Sequence, residues 1–97
     1  MAVKKDIRRS LRKPSGQRVE LGWSGEHGDP VGISGICKNV SEGGMCVVVR
    51  DAPPMRAYVQ FRLVGLGFAG SASVRSVRGV AAGYEVGLEF AGNLRWE

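Results

Sequence analysis

Val59, Phe61 and Leu63 alternate with Tyr58, Gln60 and Arg62, and the same period of two runs through Val19, Leu21 and Trp23 against Arg18, Glu20 and Gly22. Side chains a strand apart by two lie on one face, so each segment predicts a strand with one apolar face inward and one polar face in water. Further segments read the same way: Val31 to Lys38, Met45 to Arg50, Ala72 to Val77, and a last strand whose inward row is Tyr84, Val86, Leu88 and Phe90. Val31, Ile33 and Ile36 break strict alternation in the second of these, which predicts a bulge there. Polar and turn-forming residues separate the segments, at Ser24 to Pro30 and at Asp51-Ala52-Pro53-Pro54. With 15 glycines and no convincing amphipathic helix, the pattern predicts an all-β fold, a six-stranded antiparallel barrel or sandwich. Closing the barrel removes the unpaired edges such strands otherwise leave.

A chain of 97 residues and 10.4 kDa makes one domain with a single core. Its 43% hydrophobic and 24% charged residues are those of a globular protein. No apolar run is long enough for a signal peptide core or a membrane helix, so the cytoplasm is the expected location. Cys37 and Cys46 have no C-x-x-C spacing and His27 is the only histidine, so no metal site is expected. Both cysteines are expected to be small buried hydrophobes. In a regular hairpin centred between them they face each other across the turn.

The net charge of +5 is unevenly distributed. Residues 1–18 hold Lys4, Lys5, Arg8, Arg9, Arg12, Lys13 and Arg18 against Asp6 alone, a balance of +6, which leaves the rest at −1. Lys13-Pro14-Ser15-Gly16 ends any helix begun at Asp6. Residues 1–16 are therefore expected to form a flexible basic arm and residues 17–97 the barrel. A nearly neutral body with a basic arm suits an anionic ligand met by the arm better than nucleic acid tracked across a broad face.

Arg8 and Arg12 stand four apart. On a helix they share a face with Cβ atoms roughly 5–6 Å apart, and on an extended segment they lie about 13 Å apart on one side. Arginine suits both a bidentate grip on phosphate and the O6/N7 edge of guanine. Farther along, Asn39-Val40-Ser41-Glu42-Gly43-Gly44 offers short neutral donors and acceptors. It is also a good turn sequence, with an Asx-turn open to Asn39 and left-handed conformations open to Gly43 and Gly44.

Arg-x-x-x-Arg followed at the end of a later strand by Asp/Asn-x-Ser-x-x-Gly resembles the signature of the PilZ domain, a family of bacterial receptors for cyclic di-GMP. The resemblance runs to residue 90 through the strand pattern and Tyr84-Glu85-Val86-Gly87-Leu88-Glu89-Phe90. It implies a six-stranded antiparallel barrel and a non-enzymatic receptor that changes conformation on binding and signals to a partner protein. It also implies that Arg8 and Arg12 contact guanine edges and phosphates, with Arg9 auxiliary. Asn39 then accepts from guanine N–H groups, Ser41 bonds phosphate or base, and Gly43 and Gly44 keep the turn open. Asn39 stands where many members carry Asp, so the acceptor here is neutral and weaker than a carboxylate. Many members add a helix after the last strand, whereas here only Ala91 to Glu97 remain, so little or no C-terminal helix is expected.

No phosphate loop, paired-carboxylate arrangement or nucleophile pattern points to catalysis, and no cofactor is expected beyond the ligand. The alternative is a small basic barrel of the OB or cold-shock sort binding single-stranded nucleic acid, favoured by the pI of about 9.8. Such a barrel wants aromatic and basic residues interleaved on one strand face, and a neighbouring pair such as Phe61-Arg62 falls short of that.

Overall fold

The computed structural model describes residues 16–65 and 67–96. They form a closed antiparallel barrel of six strands: β1 (Gln17–Ser24), β2 (Pro30–Val40), β3 (Gly44–Val49), β4 (Tyr58–Leu63), β5 (Phe68–Val80) and β6 (Gly83–Trp96). Around the barrel the order is β1-β2-β3-β6-β5-β4, with β4 pairing back onto β1. Residues 1–15 of the expected basic arm, and with them Arg8, Arg9 and Arg12, lie outside the described residues.

Alternation builds the core as the sequence implies. In β4, Val59, Phe61 and Leu63 are buried while Tyr58, Gln60 and Arg62 face water. Val19 and Leu21 of β1, Met45, Val47 and Val49 of β3, and Val86 and Leu88 of β6 join them. Phe61, Phe68 and Phe90 pack together with ring centroids 5.3–5.7 Å apart, two of the three contacts edge-on. That geometry sets the positive edge of one ring against the negative face of another. Among the described residues no polar or charged side chain is buried. Among these residues the buried interior is apolar, and the ion pairs Arg18–Glu20, Lys38–Glu85, Arg75–Glu89 and Arg78–Glu85 lie on the outer wall.

Several sequence expectations need correction. Strands β5 and β6 are longer than expected, and Ala91 to Trp96 extend β6 rather than ending the barrel at Phe90. Tyr84 shares the face of Val86 and pairs with the buried Val49, but at the end of β6 it stands at the rim of the barrel, 41% exposed, so the buried part of that row begins at Val86. The bulge in β2 lies between Cys37 and Asn39, not between Ile33 and Ile36. Val31, Ile33, Gly35 and Cys37 keep strict alternation, and Ile36 is simply an exposed apolar residue. The displaced bulge shifts the hairpin register: Cys37 pairs with Val47, while Cys46 pairs with Asn39. The two cysteines therefore do not face each other. Cys37 is buried in the core and Cys46 lies partly buried on the outer wall, and no disulfide joins them.

Topology fixes which loops share an end. Gln17 pairs with Cys37, so the chain enters β1 at the end of the barrel where β2 turns into β3. The segment joining β4 to β5 lies at this end too, where the Val64 amide donates to the Arg18 carbonyl at 3.0 Å. At the opposite end, residues 50–57 cross from β3 to β4. The Arg56 amide donates to Val74 O and the Val74 amide to Ala57 O, at 2.8 and 2.9 Å, and Pro53 is buried beneath the crossing.

Because Phe61 contacts both other rings of the aromatic cluster, Phe61→Ala is expected to destabilise the barrel by about 3–5 kcal/mol. Ile36→Ala, exposed on the wall, should stay within about 0.5 kcal/mol of wild type. Urea unfolding of the two variants checks the contrast.

Candidate functional site

The bulge at Lys38 carries Asn39 onto the outer wall, opposite Cys46, and five residues later Gly44 begins β3. Between them the turn is tied twice to Gly44: the Ser41 amide donates to Gly44 O at 2.8 Å, and the Ser41 hydroxyl reaches the same oxygen at 3.4 Å. The Phe90 amide donates to Gly43 O at 2.8 Å, which pins the turn to β6. Asn39 and Ser41 are exposed above it.

Gly43 and Gly44 do not take left-handed conformations; the positive-φ glycines among the described residues are Gly16, Gly28, Gly67, Gly83 and Gly92. Gly44 has a different reason to be glycine. A Cβ there would press into the carbonyl of Leu88 on β6, deep inside contact distance, whereas a Cβ on Gly43 meets open space. Gly44 thus lets β3 and β6 approach closely at the foot of the turn.

The result is an open depression of about 430 Å³ in the outer wall. Asn39, Ser41, Gly43 and Gly44 line one side, Cys46 and Gly87 form the floor, and Arg75 and Glu89 stand opposite. All four described residues of the expected site meet in this one place. Arg75, Glu89, Cys46 and Gly87 were not foreseen. They arrive through the pairing of β3 with β6 and of β6 with β5, and no local motif marks them. A slightly larger depression, about 500 Å³, lies on the wall of β4, β1 and β2 above Gly22 and Gly32, away from the turn. It owes its volume to two facing glycines that lack side chains, so size alone does not single out a site.

A family model for the PilZ domain matches residues 6–95, nearly the whole chain. The chain belongs to the PilZ family. Comparison with curated proteins and with solved structures gives no match. The PilZ match spans both motifs, Arg8 to Arg12 and Asn39 to Gly44, so the depression lies where the second motif of the family folds. PilZ domains are ligand-binding receptor domains rather than enzymes. No group of three or more His, Cys, Asp or Glu residues that could hold a metal occurs among the described residues. No helix in the described chain is long and apolar enough to cross a membrane.

Charge on this side of the PilZ barrel is arranged in pairs. Lys38, displaced outward by the bulge, donates to Glu85 at 2.6 Å, and Arg78 donates to the other oxygen of the same carboxylate. Two donors hold Glu85 below the usual carboxylate range: first the Lys38 hydrogen bond, then that of Arg78. The same contact raises Lys38. Arg75 pairs with Glu89 at 3.3 Å. Burial pushes the Cys37 thiol up to about 11, with Cys46 nearby adding to the effect. Burial also raises Cys46, and the neighbouring Glu85 carboxylate adds to it. Neither cysteine is set up as a nucleophile, since the thiolate is the reactive form.

Two outcomes follow. Gly44→Ala should destabilise the domain by about 1–3 kcal/mol through forced separation of β3 from β6, with Gly43→Ala nearly neutral, as thermal melting will show. Glu85→Gln should lower the melting temperature near neutral pH. Because the Glu85 pKa is depressed on folding, its contribution is present above the ordinary carboxylate value and is lost as pH falls through the folded value. The gap between wild type and Glu85→Gln should therefore close in acid, and a gap constant from about pH 7 to 3 contradicts the assignment.

Proposed function

We propose that this PilZ domain is a cytoplasmic receptor for cyclic di-GMP, with the ligand seated in the depression beside Asn39, Ser41, Gly43 and Gly44. The observation that carries the reading is the convergence of these residues at the end of the barrel where the chain enters β1. Gln17 lies across from Cys37, two positions before Asn39. The five residues from Arg12 to Gln17 span at most about 17 Å, so the first motif is tethered within reach of the second. In this reading Arg8 and Arg12 grip guanine edges and phosphates, Arg9 assists, Asn39 accepts from guanine N–H groups, and Ser41 bonds phosphate or base. The Ser41 hydroxyl has only a long local bond to give up, and Asn39 is exposed, so both are available at little cost. The family match favours this receptor over a barrel that binds single-stranded nucleic acid.

Signalling follows from closure. Residues 1–13 carry few apolar groups, Met1, Ala2, Val3, Ile7 and Leu11, against an ordering cost of about 1–2 kcal/mol per residue. A ligand with two phosphates and two guanines supplies contacts made only when the basic segment lies over the depression. Such differential affinity is what a conformational shift requires. The new surface is then what a downstream protein reads.

Titration calorimetry with cyclic di-GMP, using single-stranded DNA as control, tests the reading. Arg8→Ala and Arg12→Ala should each weaken binding by about 2–4 kcal/mol and Ser41→Ala by about 1 kcal/mol. Cys46 gives an independent report of where the ligand sits, because it forms the floor of the depression. Alkylation of Cys46, followed by mass spectrometry at mildly alkaline pH, should slow when cyclic di-GMP is present. Unchanged labelling with saturating ligand places the ligand elsewhere.

A further inference from the structure

Arg75 is the extra residue of a bulge in β5: Val74 pairs with Leu88 and Ser76 with Gly87, and Arg75 stands between them without a partner position. A bulge of this kind bends the strand and re-aims one side chain. Here it sets Arg75 among the residues that line the depression, facing Asn39 and Ser41 across the floor of Cys46 and Gly87. Two such register shifts interrupt the pairing of β5 with β6, and this one lies directly beside the PilZ turn.

The partner of Arg75 is Glu89, at 3.3 Å, and both side chains are more than half exposed, 64% and 57%. An ion pair this wet contributes little to stability, so it does not explain why the strand is bulged to present an arginine. The guanidinium carries five N–H donors, and this one contact to Glu89 engages Nη1. Among the described residues lining the depression the pair is also the only charge, and it sums to zero. For a ligand carrying two phosphates, Arg75 is then the one cation among those lining residues, and Glu89 is a like charge beside it.

We propose that Arg75 is a third arginine of the nucleotide site, held by Glu89 in the empty protein and transferred to a ligand phosphate on binding. The inference rests on the receptor reading above and adds to it a residue from the barrel wall, sixty-three positions beyond Arg12 in sequence. The exchange is inexpensive because the bond given up is exposed and the bond formed is charge-assisted and partly desolvated by the ligand itself. Glu89 acts against binding twice: it competes for the guanidinium, and it repels the phosphates.

The two residues therefore have opposite signs in a binding experiment, which a structural role for the pair does not produce. Calorimetry with cyclic di-GMP is the measurement, on the full chain, for wild type, Arg75→Ala, Arg75→Lys, Glu89→Gln and the double variant Arg75→Ala/Glu89→Gln. Arg75→Ala should raise Kd about tenfold or more, and Arg75→Lys should recover part of the loss, since a point charge keeps the attraction without the planar grip. Glu89→Gln should lower Kd by about threefold, and most of that gain should vanish in the double variant. Thermal melting of all four should stay close to wild type, because the pair is exposed. If wild type binds and Arg75→Ala binds equally well, the third-arginine inference is wrong while the receptor reading stands. If Glu89→Gln weakens binding, Glu89 is a ligand contact and the transfer is wrong. If wild type does not bind cyclic di-GMP at all, both readings fall.

Discussion

The pairing of β3 with β6 is the interaction on which the rest of this molecule depends. It joins segments about forty residues apart, from Gly44 against Glu89 to Val49 against Tyr84. Nothing local enforces it. Long-range pairing of this kind closes a large loop before any contact rewards it, so it must be held by what it buries. Met45, Val47 and Val49 supply that burial from one strand, and Val86 and Leu88 from the other. Once the two strands are together, the hydrogen bond from the Phe90 amide to Gly43 O fixes the turn, and Gly44 permits the close approach at its foot. The glycine of the PilZ signature is thus first a fold residue here. Whatever the ligand gains from the shape of the turn, it gains because two strands meet there without a side chain between them.

Residues from five parts of the chain meet around that junction, and the two bulges decide how. One, at Lys38, turns Asn39 outward and sends Lys38 to Glu85. The other, at Arg75, places a guanidinium across the depression from Asn39. Regular strands would have put a different set of side chains on the outer wall, since a one-residue slip exchanges the two faces of a strand. The core tolerates both irregularities because they fall where the neighbouring inward residues, Cys37 and Val74, are still fully buried.

This explains what was and was not legible in the sequence. Strict alternation in Val19-Leu21-Trp23 and Val59-Phe61-Leu63 carries its own reading, because period two is a local property and the barrel keeps it. The second signature motif was legible for the same reason: its residues are near neighbours. Ile36 misled because an exposed isoleucine on the wall has the same letter as a buried one, and it moved the expected bulge by several positions. The cysteine pair misled as a consequence, since one extra residue in β2 shifts every partner beyond it. Arg75 and Glu89 could not be found at all from the chain alone. Their place is defined by the register of β5 against β6 and of β6 against β3, and both registers depend on the whole closed sheet.

The division of charge gives the arrangement its logic. The barrel body is close to neutral, and around the depression Arg75 is cancelled by Glu89 while Glu85 is shared by Lys38 and Arg78. A dianionic ligand approaching this wall alone meets shape and neutral donors but little net attraction. The positive charge resides in residues 1–18, whose balance of +6 exceeds the +5 of the whole chain. A fully charged pocket binds anions whether or not the rest of the chain responds, whereas a neutral one gains most of its attraction from whatever charge is brought to it. On the receptor reading proposed above, this separation would make occupancy and closure the same event and would tie the strength of binding to the change of surface.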